Sequence, residues 1–144
     1  MEDVVVDTSV ILKCYVKPRE PEFQRAERLL LEHAGGKRTL HVPTLSLYEL
    51  GNALRYLRPP MPRRTALDIL TEFFSLNVAI HPLTLPQAML ASELADAYDA
   101  SFYDASFAAL AQELGIPFVT ADERLQRRMA ALPFVYLLSA FVLS

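Results

Sequence analysis

The sequence predicts an α/β fold with a mainly parallel sheet, and the pattern of its segments, its length and its composition suit one domain of this class. Short apolar runs alternate along the chain with longer segments whose apolar residues have helical spacing. Such alternation is typical of units in which a helix connects two parallel strands. The length of 144 residues and the 52% of hydrophobic residues suit one ordinary domain with a substantial core. We therefore expect a single domain over residues 1–144.

Five short apolar runs are the predicted strands. The first, Val4–Val6, consists only of β-branched residues and ends at Asp7, as a buried strand would. The second ends before Pro43, a residue that interrupts regular structure. The other four predicted strands cover residues 39–42, 78–81, 117–120 and 134–138.

Six segments have the periodicity of amphipathic helices, and punctuating residues mark several of their ends. Two glycines, Gly35 and Gly36, end the first helix, and two prolines, Pro59 and Pro60, end the second. Gly115 is the predicted C-cap of the fifth. The predicted helices cover residues 22–33, 46–57, 63–76, 86–99, 102–114 and 122–129.

The composition argues against several classes of protein and of site. The single cysteine, Cys14, excludes an internal disulfide and a cysteine-rich zinc site. The N-terminal MEDVVVDTSV lacks the basic region of a secretory signal, and no apolar run approaches the ~20 residues of a membrane span. The three histidines, His33, His41 and His81, lack metal-ligand spacing and are expected to pack or lie at the surface. We expect a cytoplasmic protein without a membrane partner.

The charge distribution says more than the net charge. A net charge of −3 argues against a broad nucleic-acid surface. Arginines nevertheless cluster near the end of the chain, at Arg124, Arg127 and Arg128. Most arginines are expected on solvated helix faces. These three follow Asp122 on a predicted helix, so they are the first candidates for contact with a phosphate group.

Two aspartates follow predicted strands directly or nearly so. Asp7 comes after Val4–Val6, and Asp122 comes two residues after the strand at 117–120. Open parallel sheets bind ligands at the carboxyl ends of their strands, where both side chains would lie. By itself, Asp122 is more typical of a helix N-cap than of a ligand site. Glu49 lies one turn into a largely apolar helix, near the margin of its apolar stripe, and in isolation resembles an ordinary surface glutamate.

The pentapeptide Tyr-Asp-Ala-Ser-Phe occurs twice in succession, at 98–102 and 103–107. Ser101 stands three residues before Asp104, a weak form of the capping box that opens a helix. Asp104 is therefore predicted in a first helical turn, where the helix dipole favours a carboxylate. Asp99 is predicted at the end of the preceding helix, where the dipole opposes its charge, and is expected to face solvent.

Several carboxylates that converge at one sheet edge repel one another unless a cation lies among them. Oxygen ligands alone suit a hard cation such as Mg²⁺ or Mn²⁺. Because Mg²⁺ in proteins is commonly shared with a substrate phosphate, the reaction class that follows is metal-assisted hydrolysis of a phosphodiester.

Three segments carry a resemblance to a known family: VVVDTSV at 4–10, YELGNAL at 48–54 and FYDASFAALAQELGIPFVTADERL at 102–125. The chain resembles PIN domains, and among them the VapC-type toxin ribonucleases of VapBC toxin–antitoxin pairs. The resemblance covers essentially the whole chain and implies a three-layer α/β/α sandwich around a five-stranded, mainly parallel sheet.

The resemblance also implies an active site and partners. Its acidic residues, which hold Mg²⁺ or Mn²⁺ and cut RNA, correspond to Asp7, Glu49, Asp104 and Asp122. The hydroxyl residues that would orient these carboxylates or a metal-bound water correspond to Ser9 and Thr120. Asp99 matches no metal position. The implied assembly is a homodimer inhibited by a cognate antitoxin protein, with the helices after Asp7 and Ser46 expected at the dimer surface.

Two alternatives remain open from the residues alone. The first is a phosphoryl-transfer domain of the haloacid dehalogenase or receiver kind, with Asp7 as nucleophile. Ser9 stands where the dehalogenase phosphatases have a second acid, and receivers need a lysine that the chain lacks after its fifth strand region. The second alternative is a non-catalytic module that retains the fold and binds RNA.

Overall fold

In the part of the chain that the structure describes, five strands of three or four residues form one sheet in which every pairing is parallel. The structure, a computed structural model, describes residues 2–16 and 21–143. The strands are β1 (Val4–Val6), β2 (Leu40–Pro43), β3 (Ala79–His81), β4 (Phe118–Thr120) and β5 (Val135–Leu137). Their order across the sheet is β3-β2-β1-β4-β5. The first strand of the chain is therefore the central one, and the predicted parallel sheet is confirmed.

Seven helices in the described residues connect or flank these strands. All six predicted helices are present, and so is the helix that was expected after Asp7. They are α1 (Thr8–Val16), α2 (Phe23–Ala34), α3 (Leu45–Arg55), α4 (Arg63–Ser75), α5 (Leu85–Tyr98), α6 (Phe102–Leu114) and α7 (Glu123–Arg128). In this part of the chain, no helix has the length and apolar character that crossing a membrane requires.

The alternation of side chains along β1 divides the core into two clusters. Val4 and Val6 pack with apolar residues of α1, α2, α3 and α4, whereas Val5 packs with residues of α5, α6 and α7. Because successive side chains of a strand point to opposite faces, helices cover the sheet on both sides. The predicted α/β/α sandwich follows from this arrangement.

Two of the three histidines connect the edge strand β3 to its neighbour β2. Nδ1 of His41 lies 2.9 Å from Nε2 of His81, and Nε2 of His41 lies 3.1 Å from a carboxylate oxygen of Asp3. Burial, and then the charge of His41, lower the pKa of His81. These two contacts join the edge strand β3 to β2 and to the start of β1. The sequence-based expectation of packing or surface roles did not include them.

Candidate active site

Asp7 lies directly after the central strand and is buried, with 7% of its surface exposed. Its backbone N–H donates to the carbonyl of Val119, so the pairing of β1 with β4 continues to this residue. Its Oδ2 accepts hydrogen bonds from Ser9 Oγ at 2.6 Å and from Thr120 Oγ1 at 2.8 Å. Both donors use the same oxygen, and together they fix the orientation of the carboxylate.

The same two hydroxyls also organise the loop after β4. Ser9 Oγ accepts from the N–H of Ala121 at 3.0 Å, and Thr120 Oγ1 accepts from the N–H of Asp122 at 3.0 Å. The turn after β1 is therefore joined to the turn after β4 at one edge of the sheet. Each hydroxyl donates to Asp7 and accepts from the neighbouring loop, so its proton position is defined by the geometry.

Glu49 is held by a residue that the sequence analysis did not single out. Thr8 Oγ1 donates to Glu49 Oε1 at 2.8 Å and lies 3.0 Å from Ser46 Oγ. Helix α3 begins after β2, at the same edge of the sheet as α1, which brings Glu49 and Thr8 together. The position of Thr8 directly after Asp7 was the available signal.

The other two acids lie at helix N-termini, Asp104 in a first turn that another residue caps and Asp122 as the cap itself. Ser101 is the N-cap of α6, and its Oγ accepts from the N–H of Asp104 at 3.0 Å. This confirms the predicted first-turn position of Asp104. Asp122 is itself the N-cap of α7, and its Oδ1 accepts from the N–H groups of Arg124 and Leu125 at 2.9 and 3.2 Å. Asp122 therefore has the N-cap role that is typical of an aspartate at its place in the sequence.

Mutual repulsion links the acids electrostatically, although burial is the largest cause of each shift. Burial raises the pKa of Asp7 to about 6, with smaller increases from the charges of Asp104 and Glu49 and opposing effects of the two hydroxyl hydrogen bonds. Burial and the charge of Asp104 raise the pKa of Glu49. Burial and the charge of Asp122 raise the pKa of Asp104.

The donor chemistry fits a hard divalent cation, but the side chains do not converge on one point. Among residues 2–16 and 21–143, no three His, Cys, Asp or Glu side chains form a group that could hold a metal ion. Three of the four carboxylates, those of Asp7, Glu49 and Asp122, instead accept hydrogen bonds from protein donors. A buried carboxylate whose pKa is raised by two further acids is the kind of group that a cation would stabilise.

A polar cavity of about 310 Å³ lies beside two of the acids. Of the three arginines predicted as phosphate contacts, Arg124 and Arg128 line it and Arg127 does not. The cavity is lined by Ala100, Ser101, Asp104, Asp122, Arg124, Leu125 and Arg128.

Asp99 lies outside this set of acids, at the other end of the loop between α5 and α6. It is the C-cap of α5 in the left-handed conformation, with φ 53° and ψ 45°. Its side chain is fully exposed, which confirms the expectation that it faces solvent.

Comparison with known proteins gives a consistent picture of the fold. Residues 4–132 match the PIN domain family. Over 135 residues the chain is 32% identical to ribonuclease VapC3 of Pyrobaculum aerophilum, which covers 90% of this chain and 96% of that protein.

Two solved structures illustrate the structural similarity. VapC20 of Mycobacterium tuberculosis, described as a toxin that cleaves the sarcin-ricin loop, has a TM-score of 0.65 at 22% identity, covering 92% of this chain and 96% of that one. VapBC2 of Rickettsia felis, bound to a DNA fragment from its promoter, has a TM-score of 0.68 at 16% identity, covering 94% and 96%. At these identities the likeness concerns the fold.

Proposed function

The chain belongs to the PIN domain family, and on this premise we propose that it is a VapC-type endoribonuclease that hydrolyses phosphodiester bonds of RNA. The observation that carries the proposal is the environment of Asp7. A buried carboxylate at the end of the central strand, oriented by two hydroxyls and near further acids, is costly for a fold and useful for binding a cation.

The described side chains form no ready-made group of three ligands, yet the charges of these acids act on one another. We therefore propose that Asp7, Glu49, Asp104 and Asp122 hold Mg²⁺ or Mn²⁺ together with the substrate. A bound divalent ion would supply Lewis-acid stabilisation of the phosphate and lower the pKa of a coordinated water. The chain's own residues prepare this chemistry. Ser9 and Thr120 hold Oδ2 of Asp7, and Thr8 holds Oε1 of Glu49, so these carboxylates have little rotational freedom to lose on binding.

The proposal extends to partners and organisation. Structures of toxin–antitoxin pairs are among the structural relatives, which supports a cognate antitoxin protein as the inhibitor of this chain. We further propose a cytoplasmic homodimer built from a single PIN domain over residues 1–144. The family match favours this nuclease function over the phosphoryl-transfer alternative and over a non-catalytic RNA-binding module.

Cleavage of a mixed cellular RNA pool by the purified protein tests the proposed function. We expect cleavage with Mn²⁺ or Mg²⁺, none with a chelator, and none for Asp7→Asn. Asp96→Asn, which removes an exposed carboxylate from α5, is the matched control and should cut like the wild type. Circular dichroism establishes that each variant is folded. Equal cleavage by Asp7→Asn, or cleavage that persists in the chelator, would contradict the proposal.

A further inference from the structure

The polar cavity beside Asp104 and Asp122 combines two carboxylates with two guanidinium groups. Acids alone would repel an RNA backbone, whose phosphates are also negative. A substrate phosphate can approach such acids only where positive charge compensates. Arg124 and Arg128 supply that charge within the same cavity, so its wall is suited to an anion as well as to a cation.

Arg128 is held in place from outside the cavity by Asp99. Its Nη1 donates a hydrogen bond to the backbone carbonyl of Asp99 and lies 3.6 Å from the Oδ2 of the same residue. The left-handed backbone of Asp99 belongs to the turn that ends α5. The carbonyl and the carboxylate of Asp99 therefore both contact the guanidinium of Arg128. Arginine has five N–H donors in a planar fork, and about half of this side chain remains exposed.

A purely structural role accounts less well for this arrangement. Arg127 and Arg128 both lie in the last turn of α7, where a cation interacts favourably with the helix dipole. That interaction needs no partner from another helix, and Arg127 lines no part of the cavity. What distinguishes Arg128 is its anchor on the α5–α6 turn and its place in the wall next to Asp104.

We propose that Arg128, positioned by Asp99 and accompanied by Arg124, binds a phosphate of the RNA chain next to the scissile one. This inference rests on the proposed ribonuclease function. It gives the two aspartates of the duplicated pentapeptide separate tasks: Asp104 belongs to the acidic site, and Asp99 is a positioning residue that acts through Arg128.

RNA binding as a function of salt concentration tests the phosphate contact. The probe is a fluorescein-labelled single-stranded RNA, and Asp7→Asn is the host protein so that the probe stays intact. Arg128→Gln should weaken binding roughly tenfold at low salt and reduce the slope of log K against log salt by about 0.7, the loss expected for one single-strand phosphate contact. Arg128→Lys should recover much of the slope. Arg127→Gln, one residue away on the same helix, is the matched control.

The sign of the Asp99 effect separates positioning from general electrostatics. Asp99→Asn removes a negative charge near the RNA, so charge alone predicts tighter binding. Positioning predicts weaker binding, by about threefold. Asparagine tolerates the left-handed backbone, which keeps the turn intact. Added to Arg128→Gln, the Asp99 change should cost nothing more, because a residue that acts through Arg128 has no effect once Arg128 is gone.

The outcomes distinguish this inference from the proposed function. If the wild type cuts RNA with metal and Arg128→Gln binds like Arg127→Gln, the phosphate contact is wrong while the nuclease function stands. Asp96→Asn removes a charge from an exposed side chain and shows what charge alone does to RNA binding. If Asp99→Asn changes binding in the same direction and to the same extent as Asp96→Asn, the positioning role is wrong. A wild type that neither binds nor cuts RNA overturns both proposals.

Discussion

The two copies of Tyr-Asp-Ala-Ser-Phe lie on opposite sides of a helix boundary. The first copy, residues 98–102, closes α5, makes the turn and enters α6 only at its last residue. The second copy, residues 103–107, lies wholly within the first two turns of α6. Identical local sequence therefore meets two different backbones.

Equivalent residues in the two copies have different tasks. Ser101 caps α6 through its oxygen, whereas Ser106 donates from inside the helix to the carbonyl of Tyr103. Phe102 is 39% exposed, whereas Phe107 is fully buried against the sheet. The position of a residue relative to a helix end and to the core decides its role, and the identity of its neighbours in sequence does not.

The largest expected difference is in the free energy of unfolding lost when each of the two phenylalanines is replaced. Phe107 lies in the core and stacks on Phe118 with ring centroids 5.9 Å apart. Phe107→Ala should lower the free energy of unfolding by about 4 kcal/mol, through lost burial and the cavity left behind. Phe102→Ala should cost less than about 1 kcal/mol. Urea denaturation of both variants measures the difference, and equal losses would show that the two copies share one environment.

The two aspartates should differ most in catalysis. Asp104→Asn removes a proposed metal ligand and should lower kcat for RNA cleavage by on the order of 100-fold or more, about 2.7 kcal/mol. Asp99→Asn should act mainly on KM, with kcat within about threefold of the wild type, because its effect runs through the binding of a phosphate. Steady-state cleavage of one RNA substrate separates the two parameters. A large loss of kcat for Asp99→Asn would contradict the separation of tasks.

The two serines should differ in helix stability. Ser101→Ala removes the N-cap acceptor of α6 and should destabilise the protein by about 1 kcal/mol. Ser106→Ala removes a bond to a helix carbonyl but introduces a better helix former, so the net change should stay within about 0.5 kcal/mol. Thermal unfolding of the two variants, side by side with the wild type, gives the comparison. A larger loss for Ser106→Ala would reverse this assignment.

The smallest effect is a pH dependence at Asp104. Burial and the charge of Asp122 raise its pKa, so the folded state binds the proton more readily than the unfolded state. The ionised side chain therefore destabilises the metal-free protein at neutral pH, and this cost disappears as the pH falls through the raised pKa. In the presence of a chelator, Asp104→Asn should exceed the wild type in stability at pH 7.5, and the gap should close toward acid pH. A gap that widens on acidification would contradict this.

The fold was predictable because its causes are local. Periodicity and caps placed each predicted helix and strand within a few residues of its observed bounds, as at Gly115, which adopts φ 68° as the C-cap of α6. The rule that ligands bind at the carboxyl ends of parallel strands correctly placed Asp7 at the carboxyl-terminal side of the sheet.

Contacts between distant side chains were not predictable. The bond from Thr8 to Glu49 spans 41 positions, and that between His41 and His81 spans 40. Such contacts depend on strand register and on side-chain rotamers, neither of which a hydrophobic pattern encodes. The anchoring of Arg128 on Asp99 belongs to the same class, since it joins the ends of two helices that follow different strands.

The hydrogen bond from Thr120 to Asp7 has a consequence for the order of events during synthesis. It joins residues 113 positions apart, and of the two strands beside β1, β4 comes much later in the chain than β2. A nascent chain that has not yet reached residue 120 cannot hold Asp7 in its final orientation, and β1 still lacks one of its two neighbours. For an enzyme proposed to attack cellular RNA, competence is thereby delayed until nearly the whole chain has been translated.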